Sequence, residues 1–154
     1  MSELQDYRYR GARALVLLHE QSLRDFVEVW RKAKAAAVEL PPSPEPAYAS
    51  LDALLWHVLY CARSYMVWIC GHLELPDPEI RAAPEASLAE AEVDGYLEHL
   101  FERWRLPLAG VEERRFHRPE HTSKWGVLYC VDAMLEHAVM HPIRHRFQLL
   151  ELLA

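Results

Sequence analysis

Glycine is scarce in this chain, with five glycines among 154 residues, and this shortage disfavours a β fold rich in turns. Cysteine is also rare. The three cysteines, Cys61, Cys70 and Cys130, are odd in number and lack the spacing of a zinc finger. We therefore expect reduced, mostly buried thiols in a cytoplasmic protein rather than a disulfide framework.

Two further absences bear on partners and location. The first residues contain no apolar segment of the kind found in signal peptides, so no signal peptide is expected. No long basic run occurs, and the formal net charge is −6, which disfavours nucleic acid as a partner. The most apolar run, 51–73, is interrupted by His57, Arg63 and His72, which favours a core helix over a membrane span.

What the chain does contain is helical periodicity. Half of its residues are apolar, and its length is typical of a single domain, here expected to cover residues 1–154. Apolar residues recur at steps of three and four in four segments separated by proline or polar residues. We expect helices over about 3–39 and 48–73, from Ser87 to about Pro107 or Gly110, and from Ser123 to the last residues.

This pattern predicts an all-α four-helix bundle with a long connection between helices 2 and 3, and no strand signal was identified. The long connection is expected over residues 74–86, which contain three prolines. Ser50 is a plausible N-cap of the second helix, and Ser87 followed by Glu90 has the spacing of a capping box. Ser123 is the expected cap of the fourth helix.

Three histidines in the last helix point to chemistry. His137, His141 and His145 follow one another at steps of four, and such a step advances the helix face by only about 40° beyond a full turn. Their imidazoles therefore share one side, and His141 and His145 can close on one metal ion such as Zn, Ni, Cu or Fe. A third ligand must come from another helix. His57 is the candidate, because it lies on the face of the second helix that is expected to turn inward.

Two observations leave the interpretation of these histidines open. The same three side chains can instead form a buried polar seam in which each imidazole bonds to a neighbour, although buried polar groups need satisfied partners. Pro142 lies between the two proposed ligands and removes a backbone hydrogen bond. The resulting kink either tunes the angle between the imidazoles or spoils their four-residue geometry.

Other residues are weaker candidates, each with an ordinary structural interpretation. Cys61 lies one turn after His57 and is a possible fourth ligand or nucleophile, although core packing is the commoner role of a buried cysteine. His19 faces the bundle seam, either near the metal or simply in the core. Three arginines of a polar loop can meet an anionic cofactor or remain solvated: Arg114, Arg115 and Arg118. Five aromatic residues are expected in the core or a pocket wall: Trp56, Tyr60, Trp68, Trp125 and Tyr129.

His57, together with the pattern H-x-x-x-H-R-x-Q formed by His141, His145, Arg146 and Gln148, resembles the DinB/YfiT-like superfamily. The resemblance extends over nearly the whole chain. It implies a single four-helix bundle that holds a divalent metal through His57, His141 and His145, with His137, Cys61, His19, Gln148 and Arg146 nearby. Phe147 stands where many members have glycine, and we expect it to narrow the space beside the last helix.

By this resemblance we expect a metal-dependent enzyme with a small-molecule substrate, such as a transferase that uses a low-molecular-weight thiol bound to the metal. The expected metal is Zn, Ni or Fe. A metal-dependent hydrolase and a non-catalytic metal-binding bundle are the alternatives. No catalytic residue is assigned, although Asp132 and Glu136 precede the histidines on the same helix. A homodimer is also possible in principle, with Trp30 and residues 149–153 as candidate contacts.

Overall fold

The computed structural model describes residues 3–154, and four long helices contain most of them. In chain order the elements are α1 (Arg10–Ala35), a 3₁₀ turn (Pro46–Tyr48), α2 (Leu51–His72), α3 (Ala86–Trp104), the one-turn helix α4 (Arg114–His117), strands β1 (His121–Thr122) and β2 (Leu128–Tyr129), and α5 (Val131–Leu153). The two strands pair antiparallel in a small hairpin. The predicted all-α class and the long connection between the second and third helices are confirmed.

The four long helices surround one apolar core. The backbone of α1 lies mainly against α5, whereas α2 packs on both α3 and α5. Two buried tryptophans join neighbouring elements through their indole nitrogens. Trp30 Nε1 donates to the backbone oxygen of Leu51 at 2.6 Å, and Trp104 Nε1 donates to that of Ala62 at 3.0 Å. Since Trp30 is fully buried, its expected role as a dimer contact is wrong.

The helix boundaries agree with the predictions only in part. Ser50 caps α2 as expected, because its hydroxyl accepts the Ala53 amide at 3.0 Å. The first helix begins at Arg10 rather than at residue 3. The capping box predicted for the third helix is wrong, since α3 begins one residue before Ser87 and Glu85 occupies the N-cap position without a side-chain bond.

The predicted start of the last helix is also wrong. Ser123 lies in the hairpin, where its amide and hydroxyl both bond to the backbone of Val127, and Gly126 makes the turn with a φ of 85°. The helix α5 begins only at Val131, and the sulfur of Cys130 accepts the Ala133 amide at 3.4 Å. The hairpin thus occupies the place that the sequence pattern assigned to the first turns of a helix.

The apolar helix α2 belongs to the core. Within residues 3–154 it is the one helix long and apolar enough to cross a membrane by length and composition. However, 61% of its most apolar window is buried inside the bundle, which is the usual situation of a core helix in a soluble protein. His57 and Arg63, which interrupt its apolar run, face the candidate metal centre and the connection between α2 and α3, respectively.

One buried ion pair joins α1 to the end of α3. The Nε and Nη2 atoms of Arg105 donate to the two carboxylate oxygens of Glu20 at 2.6 and 2.9 Å. The side chains of Glu20 and Arg105 are only 7% and 11% exposed. The hydroxyl of Tyr7 donates to the backbone oxygen of Arg105 at 2.6 Å, so residues before α1 also fasten this point.

His19 lies beside this pair, in the middle of the core. Its ring stacks on Trp104 with centroids 3.7 Å apart, and neither ring nitrogen has a hydrogen-bond partner among residues 3–154. Complete burial lowers the pKa of His19 to about 3. Of the two roles left open for His19, the structure supports the core, because its ring is packed against α3 and does not line the cavity beside the other histidines.

We predict that His19 makes the fold sensitive to acid. Its folded-state pKa lies below the unfolded value near 6.5, so its contribution to stability is complete above pH 6.5 and is lost as the pH falls towards 3. Between pH 7 and pH 5 the loss from this residue is about 2 kcal/mol. In urea unfolding at both pH values, the wild type should lose about 2 kcal/mol more than His19→Phe, which keeps a flat ring against Trp104 and retains the other buried histidines.

The control for this prediction is His117→Phe, since His117 is exposed on α4. That variant should lose as much stability on acidification as the wild type. If His19→Phe and the wild type lose equal free energy of unfolding between the two pH values, His19 is not the acid-sensitive group.

Candidate metal centre

Three imidazoles from two helices meet inside the bundle. The Nε2 atoms of His57 on α2 and His141 on α5 lie 3.1 Å apart, and those of His141 and His145 lie 3.2 Å apart. All three ligand atoms lie within 4.8 Å of one another. His145 is buried, whereas His57 and His141 are partly buried and face a cavity.

Hydrogen bonding fixes the tautomer of one of these rings. His145 Nδ1 lies 2.8 Å from Oε1 of Gln148, an oxygen that only accepts, so Nδ1 carries the proton. The Nε2 atom of His145 therefore presents a lone pair to His57 and His141. A partner of this kind on the outer ring nitrogen is the usual arrangement for a metal-ligating histidine.

The three facing nitrogens fit a cation better than they fit one another. His141 Nε2 contacts two other nitrogens but carries at most one proton, so hydrogen bonds satisfy the cluster poorly. Two imidazoles bound to the same tetrahedral zinc ion have nitrogens roughly 3.3 Å apart, given bonds of about 2.0–2.1 Å. The observed separations are close to this value. The cluster thus has the donor set and spacing to hold a divalent transition metal.

The surroundings keep these histidines neutral, which is the form that binds a metal. Burial lowers the pKa of His141 to about 2, with His145 and His57 contributing further. Burial also lowers the pKa of His57, and it lowers that of His145 despite the opposing bond to Gln148. Protons therefore do not compete for these sites near neutral pH.

The two residues that complicated the sequence pattern do not disturb the site. Pro142 lies inside α5, and the helix is continuous from Val131 to Leu153. His141 and His145 still bring their Nε2 atoms within 3.2 Å, so the proline leaves the four-residue geometry intact. Phe147 is 56% exposed, lines none of the cavity and does not narrow it, contrary to expectation.

A cavity of about 410 Å³ opens beside His57 and His141. Its wall is mainly aromatic and apolar. The lining consists of His57, Tyr60, Cys61, Ser64, Tyr65, Trp68, Lys124, Trp125, Met134, His137 and His141. No aspartate or glutamate is among these lining residues. The volume lies within the range of small-molecule sites, and the cavity leaves room beside two of the three histidines.

The hairpin covers one side of this cavity. Trp125 stacks on His137 with ring centroids 4.9 Å apart, and Lys124 Nζ lies 5.9 Å from the ring centre of Tyr60. Trp68 Nε1 donates to the backbone oxygen of Thr122 at 3.1 Å, which fastens the hairpin to α2. The hairpin therefore brings an exposed cation and an aromatic wall to the mouth of the site.

Cys61 and Gln148, both expected near the metal, lie beside the three-histidine cluster. The sulfur of Cys61 is 3.8 Å from both ring nitrogens of His57, and burial raises the pKa of this thiol to about 11. His137 lines the same cavity but lies outside the group of three, with its ring between Tyr65, Trp125 and Tyr129. Gln148 bonds to His145 as described above.

Other candidates lie elsewhere. The guanidinium of Arg146 lies 5.7 Å from the ring centre of Phe147, and Arg146 does not line the cavity. Asp132 accepts the hydroxyl of Tyr9 at 3.4 Å, and Glu136 is exposed. Neither carboxylate reaches the cavity wall. Within residues 3–154 no aspartate or glutamate lines the cavity. The carboxylate whose charge acts on the cluster is Glu45, just before the 3₁₀ turn, and it opposes the lowering of the His57 pKa by burial.

Sequence reasoning missed Ser64, Lys124 and Met134 as lining residues. Lys124 reaches the cavity only because the hairpin folds over it. The segment S-K-W-G-V-L-Y carries a hairpin signal, since Gly126 separates two short runs that contain apolar and aromatic residues. The strong helical pattern that follows this segment led instead to the prediction of a helix from Ser123.

Comparison with known proteins identifies one relationship. A family model described as the DinB family matches residues 15–154, a range that includes all three histidines. No curated protein and no solved structure matches the chain.

Proposed function

Because the chain belongs to the DinB family, we propose that it is a metal-dependent enzyme that transfers a group with the help of a low-molecular-weight thiol. His57, His141 and His145 are the proposed metal ligands. The observation that carries the proposal is the meeting of three neutral imidazoles at one edge of a cavity large enough for a small molecule. A closed structural site would have no such space beside its ligands.

A divalent metal bound by three histidines supplies a Lewis acid that lowers the pKa of a thiol or water placed at its open position. This chain contributes the remaining parts. Gln148 orients His145 through the bond to Nδ1, and burial keeps the imidazoles unprotonated. Tyr65, Trp68 and Trp125 form an apolar wall that excludes water from a nucleophile beside the cluster.

The composition of the cavity wall favours a thiol over water as the nucleophile. Water attack is commonly assisted by a carboxylate that accepts the proton, and no carboxylate lines this cavity. A thiol with a lowered pKa needs no such base, because it is already ionised at neutral pH. The hydrolase is therefore the second choice, and a cytoplasmic location remains an expectation drawn from the cysteine content.

The proposal is tested with metal-loaded protein, a mixture of a thiol and 1-chloro-2,4-dinitrobenzene, and absorbance detection of the conjugate. Cysteine, glutathione and coenzyme A are tried in turn. We expect turnover above the spontaneous rate with at least one thiol, and we expect chelation or His145→Ala to reduce it about 100-fold. Metal analysis of the same samples should show that His145→Ala has lost its metal.

Two results would count against this function. Equal metal content in the wild type and His145→Ala would exclude His145 as a ligand. A large fall in melting temperature on chelation, with no conjugation activity before it, would indicate a structural metal in a non-catalytic bundle. An enzyme whose core folds by itself should lose activity on chelation while its melting temperature changes little.

A further inference from the structure

A second cavity lies at the carboxyl end of α2, away from the histidine cluster. It has a volume of about 600 Å³ and is lined by His72, Leu73, Glu74, Arg114, Arg115, Arg118, Pro119 and His121. Fifteen residues of α2 separate His57 from His72, which corresponds to roughly 22 Å along the helix axis. The two cavities have no lining residue in common, so the second cavity is a separate place on the molecule.

The charge of this cavity is opposite to that of the chain. Three arginines line it, and Glu74 is the one acidic residue among the lining residues. The chain as a whole carries a formal net charge of −6. A local concentration of positive charge in an acidic protein is not explained by its average composition, and it creates a field that attracts anions to a concave surface.

The arginines keep donors available for a ligand. Arg115 is half-buried, and its Nη2 donates to the backbone oxygen of Leu73 at 2.7 Å, which holds the guanidinium at the end of α2. Arg114 is tied through Nε to Glu112 at 2.7 Å. Each guanidinium has five N–H groups, so most of them stay unused. Arg118 is exposed and makes no hydrogen bond or ion pair with the residues described, 3–154.

Two histidines complete the lining. The rings of His72 and His121 stack with centroids 4.4 Å apart and planes inclined by 24°. Trp68 supports both, with ring centroids 4.4 Å from His72 and 5.9 Å from His121. The hydrogen bond from Trp68 to Thr122 keeps His121 against α2. Imidazole groups are thus held beside the arginines by Trp68, which also lines the first cavity.

We propose that this cavity binds the phosphate group of a small molecule. Guanidinium groups match the oxygens of phosphate in pairs, and such charge-assisted bonds are about twice as strong as neutral ones. A carboxylate would be neutralised by one arginine, whereas several cationic side chains around one concavity suit a tetrahedral oxyanion with two charges. The acidic net charge of the chain disfavours an extended polyanion, so the ligand is small.

The test is titration calorimetry of the full chain with inorganic phosphate and with phenyl phosphate, at constant ionic strength. We expect saturable binding of at least one of them and about tenfold weaker binding by Arg118→Gln, whose melting temperature should not change because Arg118 is exposed and unbonded. Arg31→Gln is the matched control, since Arg31 pairs with Asp94 on the surface and lines none of this cavity. It should bind phosphate within twofold of the wild type.

Two comparisons identify the ligand and separate this site from the metal centre. Equal affinity for both compounds indicates that the phosphate alone is recognised, whereas tighter binding of phenyl phosphate indicates an organic phosphate. His141→Ala should bind phosphate as the wild type does, whatever happens to conjugation activity. The proposal is overturned if neither compound binds, if Arg118→Gln binds as tightly as the wild type, or if Arg31→Gln is equally weakened.

Discussion

Replacing His141 with alanine is expected to lower the affinity for a divalent metal by about 100-fold or more. Its Nε2 atom is the common neighbour of the other two, at 3.1 Å from His57 and 3.2 Å from His145. The substitution removes one of the three proposed ligands, whereas changing even a residue that only orients a ligand usually costs 10- to 100-fold. The affinity is measured by titrating metal-free protein with cobalt and following its visible absorption.

The matched control is His137→Ala. His137 lies one turn earlier on α5 and lines the same cavity, but it lies outside the group of three. This variant should retain the wild-type metal affinity within about threefold, because no ligand is lost. Similar losses in both variants would mean that the α5 histidines act as a general polar seam, which was the alternative left open by the sequence.

The second large effect is expected at the ion pair between Glu20 and Arg105. Replacing Arg105 with methionine leaves Glu20, whose side chain is 7% exposed, without its two-point partner. An uncompensated buried charge of this kind costs about 3 kcal/mol or more. For a chain of this size that corresponds to a fall in melting temperature of about 6–12 °C, measured by differential scanning calorimetry.

An exposed pair on the same bundle supplies the control. Arg31 Nη2 lies 2.8 Å from Asp94 Oδ2, with the two side chains 48% and 74% exposed. Arg31→Met should change the free energy of unfolding by less than about 1 kcal/mol, because solvent screens this pair. If Arg105→Met proves equally mild, water must reach Glu20. Replacing Glu20 and Arg105 together with apolar residues should recover much of the loss.

Some of the tertiary arrangement was foreseeable for identifiable reasons. Steps of three and four in the first segment predict an inward stripe at seven positions: Leu15, His19, Ser22, Phe26, Val29, Ala33 and Ala36. The middle five are buried, whereas Leu15 is half-buried and Ala36 is exposed just after the end of α1. A stripe indicates which face turns inward, but it does not tell how deep a residue lies or what it meets. His19 was therefore placed on the correct face, while the choice between the core and the metal site stayed open, because its neighbour Trp104 comes from a helix distant in sequence.

The hairpin was not predicted either, because it too depends on contacts between distant parts of the chain. Its strands have two residues each, too short to show an alternating pattern, and their pairing depends on contacts with α2 such as the bond from Trp68 to Thr122. Lys124 and Trp125 reach the cavity only through that pairing. The polar loop before it likewise showed three arginines, while the cavity they share with His72 depends on where α2 ends.

The sequence by itself determined the four amphipathic helices and the common face of His137, His141 and His145, because helical periodicity acts between residues three and four apart. Only the tertiary structure decided which of these histidines meet His57, since that contact joins residues 84 positions apart. It also decided that the hairpin closes over the cavity. Such contacts arise from the packing of whole helices, and no local pattern in the chain encodes them.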